Sequence, residues 1–170
     1  AQTLWVRLQA SSAALPEARA LVQLLGAEMA LAQGKPEQAQ VHLQNAGALQ
    51  AGQPGRARLL LQAQADTAGG KAARAAQSLQ TWLADRPHDA MAWQMLAAAD
   101  GALGRPVAAV RASAEASGAV MDYGAALSRL RAAQDMVRKS GNGIDHIEAS
   151  IVDTRARQFE LLVREQALER

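Results

Sequence analysis

At 170 residues, 49% hydrophobic and with a formal net charge of only +2, the chain is long enough for one substantial core or for about five helical hairpins in a row. Its nearly balanced charge lacks the concentrated basic face that nucleic acid requires, so no nucleic-acid partner is expected. The absence of cysteine removes disulfide frameworks, thiolate zinc sites and cysteine nucleophiles, and 3% aromatic residues in an alanine-rich chain favour closely spaced helices over a β-sandwich.

No apolar run approaches the roughly 20 residues needed to cross a bilayer, so no membrane insertion is expected. The start, Ala1-Gln2-Thr3, carries neither an initiator Met nor a signal-peptide pattern and reads as a processed protein or an excised fragment. In chain order, Leu4, Trp5 and Leu8 predict an N-terminal helix over residues 1–15, ending before Pro16. Leu21, Leu24, Leu25, Glu28 and Leu31 recur at helical spacing up to Gly34, which fits a left-handed stop. Pro36 suits the first turn of a return helix whose buried stripe is Ala39, Leu43 and Ala46.

The glycines and Pro54 between Ala48 and Gly55 predict a loop, after which a helix resumes at Arg56 and runs through Leu59, Leu60, Ala63 and Ala65 to Gly69-Gly70. Ala75, Leu79, Trp82 and Leu83 form its partner, closed by Pro87. Asp89 is the expected N-cap of a helix from Met91 to Leu103 with Trp93 and Leu96 on its inner face. A helix from Pro106 to Gly118 follows, then a further one carrying Ala126, Leu130 and Ala133. Ser140-Gly141-Asn142-Gly143 stops it, and Asp145 with Glu148 opens a final helix over residues 144–168 in the manner of a capping box. Ile147, Ile151, Phe159, Leu162 and Val163 are its expected buried side.

One spacing organises these elements. Gly-basic-x-x-x-Ala occurs at Gly34-Lys35 to Ala39, Gly70-Lys71 to Ala75 and Gly104-Arg105 to Ala109, with the glycines 36 and 34 residues apart. That is the period of helix-turn-helix arrays. Met121 stands in the glycine slot 17 residues after Gly104, half a period, with Ala126 five residues on. The helix from Pro106 should therefore close one hairpin and open the next. The predicted fold is all-α, an α-solenoid of stacked antiparallel helical hairpins over residues 16–140 with a long C-terminal capping helix, all within one domain.

At Trp93-x-x-Leu96-Ala97, Gly104, Ala109 and Ala116 the chain resembles the tetratricopeptide repeat. Gly70, Ala75 and Pro87 extend the likeness, as do Gly34, Ala39 and Ala46. Asp100 and Ser113 stand where that family prefers aromatics, and Trp82 where it prefers a small residue. Asp122-Tyr123-Gly124-Ala125-Ala126 and the run from Ile147 to Arg155 are similar to the C-terminal repeat region of bacterial periplasmic M48-type zinc metallopeptidases, the β-barrel assembly-enhancing protease group. The resemblance implies a periplasmic location and an attached metallopeptidase domain bearing His-Glu-x-x-His.

That zinc motif is not in this sequence. His42, His88 and His146 are its only histidines and lie in different predicted hairpins, so neither a metal site nor a catalytic residue is expected. Gly69-Gly70-Lys71-Ala72 lacks the upstream glycine and the Ser/Thr of a phosphate loop, and no cofactor is expected. What remains is a surface. Glu28, Gln64, Met91, Gln94, Arg111 and Glu115 lie opposite the packing alanines and are the candidate lining of a concave groove for a protein or peptide partner. The chain is expected to be non-enzymatic, a polypeptide-binding module from the C-terminal part of such a metallopeptidase, or alternatively a free-standing scaffold of a bacterial envelope or secretion complex.

Overall fold

The computed structural model describes residues 7–8, 10–12, 14–49, 55–139 and 145–168. After helical backbone at Arg7, Leu8, Ala10 and Ser11, eight helices follow, with no strand among the described residues. They are α1 (Pro16–Ala32), α2 (Pro36–Leu49), α3 (Arg56–Ala68), α4 (Ala72–Asp85), α5 (Ala90–Ala102), α6 (Pro106–Ala119), α7 (Tyr123–Lys139) and α8 (His146–Leu168). Pro16, Pro36 and Pro106 each occupy the first helical position, where no N–H is missed. Side-chain caps start three others. Asp89 accepts from Ala92 N at 3.2 Å, Asp122 from Ala125 N at 3.1 Å, and Asp145 from Ile147 N and Glu148 N at 3.0 and 3.1 Å. Ala48 and Leu49, expected in a loop, are the end of α2. Leu4, Trp5, the glycine-rich stretch 50–54 and the stop Ser140-Gly141-Asn142-Gly143 lie outside the described residues.

Four turns share one construction. Gly34, Gly70, Gly104 and Met121 all have positive φ, at 69°, 75°, 70° and 61°. In each, the following residue's N–H reaches the carbonyl five residues back: Lys35 to Ala30, Lys71 to Asp66, Arg105 to Asp100 and Asp122 to Ser117, at 2.6–3.0 Å. The left-handed residue's own N–H bonds three residues back, to Leu31, Thr67, Gly101 and Gly118. This double closure is the Schellman stop, which satisfies carbonyls that a helix end leaves orphaned. Met121 thus fills the glycine slot with the glycine's conformation, which its Cβ opposes by about 1 kcal/mol. Met121 is 67% exposed, so little packing is lost on removing its side chain. Met121→Gly is accordingly expected to stabilise the chain by about 0.5–1 kcal/mol in chemical denaturation, and a destabilised variant would contradict this account of the turn.

The chain divides into two compact units, Ala1–Ala75 and Ala76–Arg170, the division falling within α4. In the first, α1 packs on α2, and α3 packs on both. Their shared core is Leu24, Ala27 and Ala30 against Ala39, Leu43, Ala46 and Ala65, with Leu31 and Leu61 beside it. Alanines at these positions let the helix backbones approach while the leucines fill the remaining space. In the second, α6 packs against both α5 and α7, and α8 lies on α7 and α6. There Ala114 meets Ala126, Leu127, Leu130 and Ala133 of α7 and Val152, Ala156 and Phe159 of α8.

The buried stripe of α8 differs from the expected one. Ile147 is 75% exposed and Ile151 is exposed as well, whereas Val152, Ala156 and Phe159 are buried, with Leu162 and Val163 packed beside them. The steps Val152, Ala156, Phe159 and Val163 keep a strict four-three-four helical spacing. A face led by Ile147 and Ile151 would bring Arg155, rather than Ala156, over the small residues of α6 and α7.

Candidate functional site

Two of the Schellman turns carry an aspartate four residues before their glycine, Asp66 before Gly70 and Asp100 before Gly104. In both, the aspartate lies in the last turn of its helix, and both side chains are fully buried. A carboxylate there gains nothing from its own helix dipole, whose negative end it adjoins, so its stabilisation must come from side chains.

Asp66 has that stabilisation. Arg74, from the first turn of α4, donates through Nε to Oδ2 at 2.8 Å and through Nη2 to Oδ1. Gln62, one turn earlier on α3, and Gln40 of α2 donate to Oδ1 at 3.0 and 3.3 Å. The bidentate bond holds the Arg74 guanidinium above its ordinary pKa.

Asp100 has none of these partners. Counting from each turn's glycine, the places of Gln62 and Arg74 are taken by Leu96 and Ala108, and that of Gln40, counted from the preceding glycine, by Ala76. Asp100 is 1% exposed, and its Oδ2 has no hydrogen-bond partner. The nearest cation, Arg105 Nη1, stands 3.8 Å from Oδ1 on a largely exposed side chain, beyond hydrogen-bond reach. Burial pushes the carboxyl's pKa up; Arg105 and Arg111 oppose the shift, and Glu148 adds to it.

Asp100 lines a cleft of about 590 Å³ within the second unit. Its walls are the α5–α6 turn and first turn of α6 (Gly104 to Ala108), Arg111, Gln80 of α4, Val137 of α7, and Asp145 and Glu148 at the start of α8. Three carboxylates and two guanidinium groups face it, a net negative balance. Arg111 is already committed to Glu148, by its Nε to Oε1 and by Nη2 to Oε2 at 3.5 Å. The two side chains are 13% and 16% exposed, so this pair is largely shielded from solvent. Glu148 therefore does not return to its own helix start as a capping box would have it; it ties α8 to α6 instead.

A second, part-buried pair does the same one turn along α6. Glu115 accepts from Arg155 Nε and Nη2, and the Arg155 guanidinium also lies 4.8 Å over the Phe159 ring. Of the six residues expected to line a groove, Glu28, Gln64, Met91 and Gln94 are exposed, on α1, α3 and α5. Arg111 and Glu115 are not free lining residues. They are α6's half of two ion pairs to α8, and Arg111 alone of the six reaches the cleft. His42 is half-buried, with Nδ1 2.8 Å from Gln23 Oε1 on α1.

Among the described residues no group of three His, Asp or Glu side chains could hold a metal ion, and no helix is long and apolar enough to cross a membrane. No known protein-family model matches the chain, and no curated protein matches it.

The raised pKa of Asp100 makes a signed prediction. The folded state takes up a proton at a pH where the unfolded state has already lost it. The penalty is therefore fully present above the folded-state value, and it disappears as pH falls through that value toward the ordinary carboxylate range. Asp100→Asn is expected to stabilise the second unit by about 1–2 kcal/mol at neutral pH, with the gain shrinking on acidification. Denaturation curves over a pH series check it, and a pH-independent difference would refute the burial of an incompletely compensated charge.

Proposed function

We propose that this chain is a protein-interaction module of tetratricopeptide-like helical hairpins, and that its second unit receives a polypeptide at the cleft beside Asp100. The observation that carries this reading is the fourfold Schellman turn at Gly34, Gly70, Gly104 and Met121, with the inward Ala39, Ala75 and Ala126 five residues after three of them. Repeated turns of one geometry are what a hairpin array uses to present a continuous binding face, with the long α8 as its terminal cap. The cleft adds a place where polar groups converge on a partly enclosed volume.

The sequence resemblance extends the reading: the module is the non-catalytic C-terminal part of a periplasmic M48-type zinc metallopeptidase, and it brings substrate or an assembly partner toward the catalytic domain. Selection from a random displayed peptide library on the purified chain tests the binding role. Enriched peptides that bind in calorimetry are expected, and failure to enrich any peptide overturns it. A zinc-supplemented cleavage assay tests the non-catalytic role, and chelator-sensitive turnover by this chain would overturn that.

A further inference from the structure

The first unit shows the arrangement that Asp100 lacks, a guanidinium bonded directly to the buried aspartate. At Asp66 a buried aspartate, four residues before the turn glycine, is met by a guanidinium from the residue four after it. At Asp100 the same backbone turn recurs, with Arg105 N bonded to Asp100 O as Lys71 N is to Asp66 O, but the residue four after the glycine is Ala108. Ala108 lines the cleft, so a methyl group stands where the equivalent guanidinium would begin.

We propose that the Asp100 pocket is a receptor for an arginine side chain of the bound polypeptide, which supplies in trans the guanidinium that Arg74 supplies to Asp66 in cis. Three features fit this ligand rather than an anion or an apolar group. Asp100 lines the cleft and its buried Oδ2 has no hydrogen-bond partner, the condition that favours a charge-assisted donor most. The cleft carries three carboxylates to two guanidinium groups, and Arg111 is engaged by Glu148, which leaves Asp100 as the carboxylate still to be satisfied. The planar two-bond geometry at Asp66 is one a guanidinium forms and an ammonium does not.

The inference rests on the interaction-module reading above and is separable from it by experiment. N-acetyl-arginine N-methylamide is titrated into the isotope-labelled chain and followed by amide NMR. The citrulline derivative, uncharged and of the same shape, and the lysine derivative are run beside it. Saturable shifts at Gly104, Arg105 and Ala108 are expected with arginine, with binding at least about tenfold weaker for the other two. Asp100→Asn, which is expected to fold at least as well as the parent chain, should lose the arginine response. Ala108→Arg should rebuild the Asp66–Arg74 arrangement, raise the unfolding temperature and close the pocket to the probe.

Equal binding of citrulline, or binding that persists in Asp100→Asn, overturns the pocket assignment. Equal binding of lysine overturns its guanidinium selectivity. If library peptides bind the chain but neither contain arginine nor depend on Asp100, the module reading stands and this inference falls. If no peptide binds, both fall.

Discussion

Phe159→Ala is expected to cost the second unit about 3–5 kcal/mol. The ring is 3% exposed and sits in the layer formed by α6, α7 and α8, its centroid 6.1 Å from that of Tyr123. A Cβ placed on Gly118 of α6 would run into it, so the glycine is the space in which the ring lies. Removing the ring empties that space, and the flanking helices cannot collapse into it without giving up the Arg111–Glu148 and Arg155–Glu115 pairs on the same interface. Arg155 also loses the π-face under its guanidinium. Gly118→Ala attacks the same contact from the other side and should cost about 1–3 kcal/mol by overpacking. Because the two residues touch, their effects should not add: once the ring is gone the methyl has room, so the double variant should be no worse than Phe159→Ala alone. Denaturant unfolding, with hydrogen exchange along α8, measures all three. A loss below about 1 kcal/mol for Phe159→Ala would mean that the ion pairs, rather than the ring, hold α8 in place.

How far the sequence exposes such features depends on whether the signal is local. The turns were legible because a left-handed stop needs glycine at one place, and the buried Ala39, Ala75 and Ala126 follow at a fixed step. Even Met121 could be read, since the alanine after it keeps the register. Periodicity places Arg111 and Glu115 on the lining of a groove, yet their partners Glu148 and Arg155 lie 37 and 40 residues away, a separation that helical periodicity does not span. Only the Ile147 and Ile151 end of the expected α8 stripe departs from the structure, because isoleucine outweighs alanine in apolar periodicity, although α6 and α7 present small residues that Ala156 fits. Asp66 carries no local mark in the sequence, and Asp100 stands out only as a departure from the tetratricopeptide pattern, because charge reads as surface. Their signal is positional: one residue type at one offset from two repeat glycines, with an arginine four residues after only the first.

That asymmetry makes Arg74→Ala the most informative change in the first unit. It strips Asp66 of its ion-pair partner among the described residues while leaving Gln40 and Gln62, so a buried carboxylate remains with two neutral donors. Removing one partner of a buried charge pair is far more damaging than never having had the pair, because the remaining charge keeps its desolvation cost. Arg74 is itself 55% exposed, which lets water recover part of the loss, so the expected destabilisation is about 2 kcal/mol rather than the full value for an enclosed pair. Arg74→Lys should recover little, since an ammonium cannot make both bonds of the fork. Asp66→Asn in the Arg74→Ala background should restore stability, whereas in the parent chain it should reduce it. That reversal of sign would not occur if Arg74 acted only through packing of its stem. The variant also leaves the Gly70 turn, like the Gly104 turn, with alanine four residues after its glycine, although Asp66 keeps Gln40 and Gln62 as donors. Millimolar N-acetyl-arginine N-methylamide should therefore return part of the lost stability in proportion to its occupancy of the vacated position, read as slowed hydrogen exchange at the α2 and α3 amides, and should do nothing there for the parent chain.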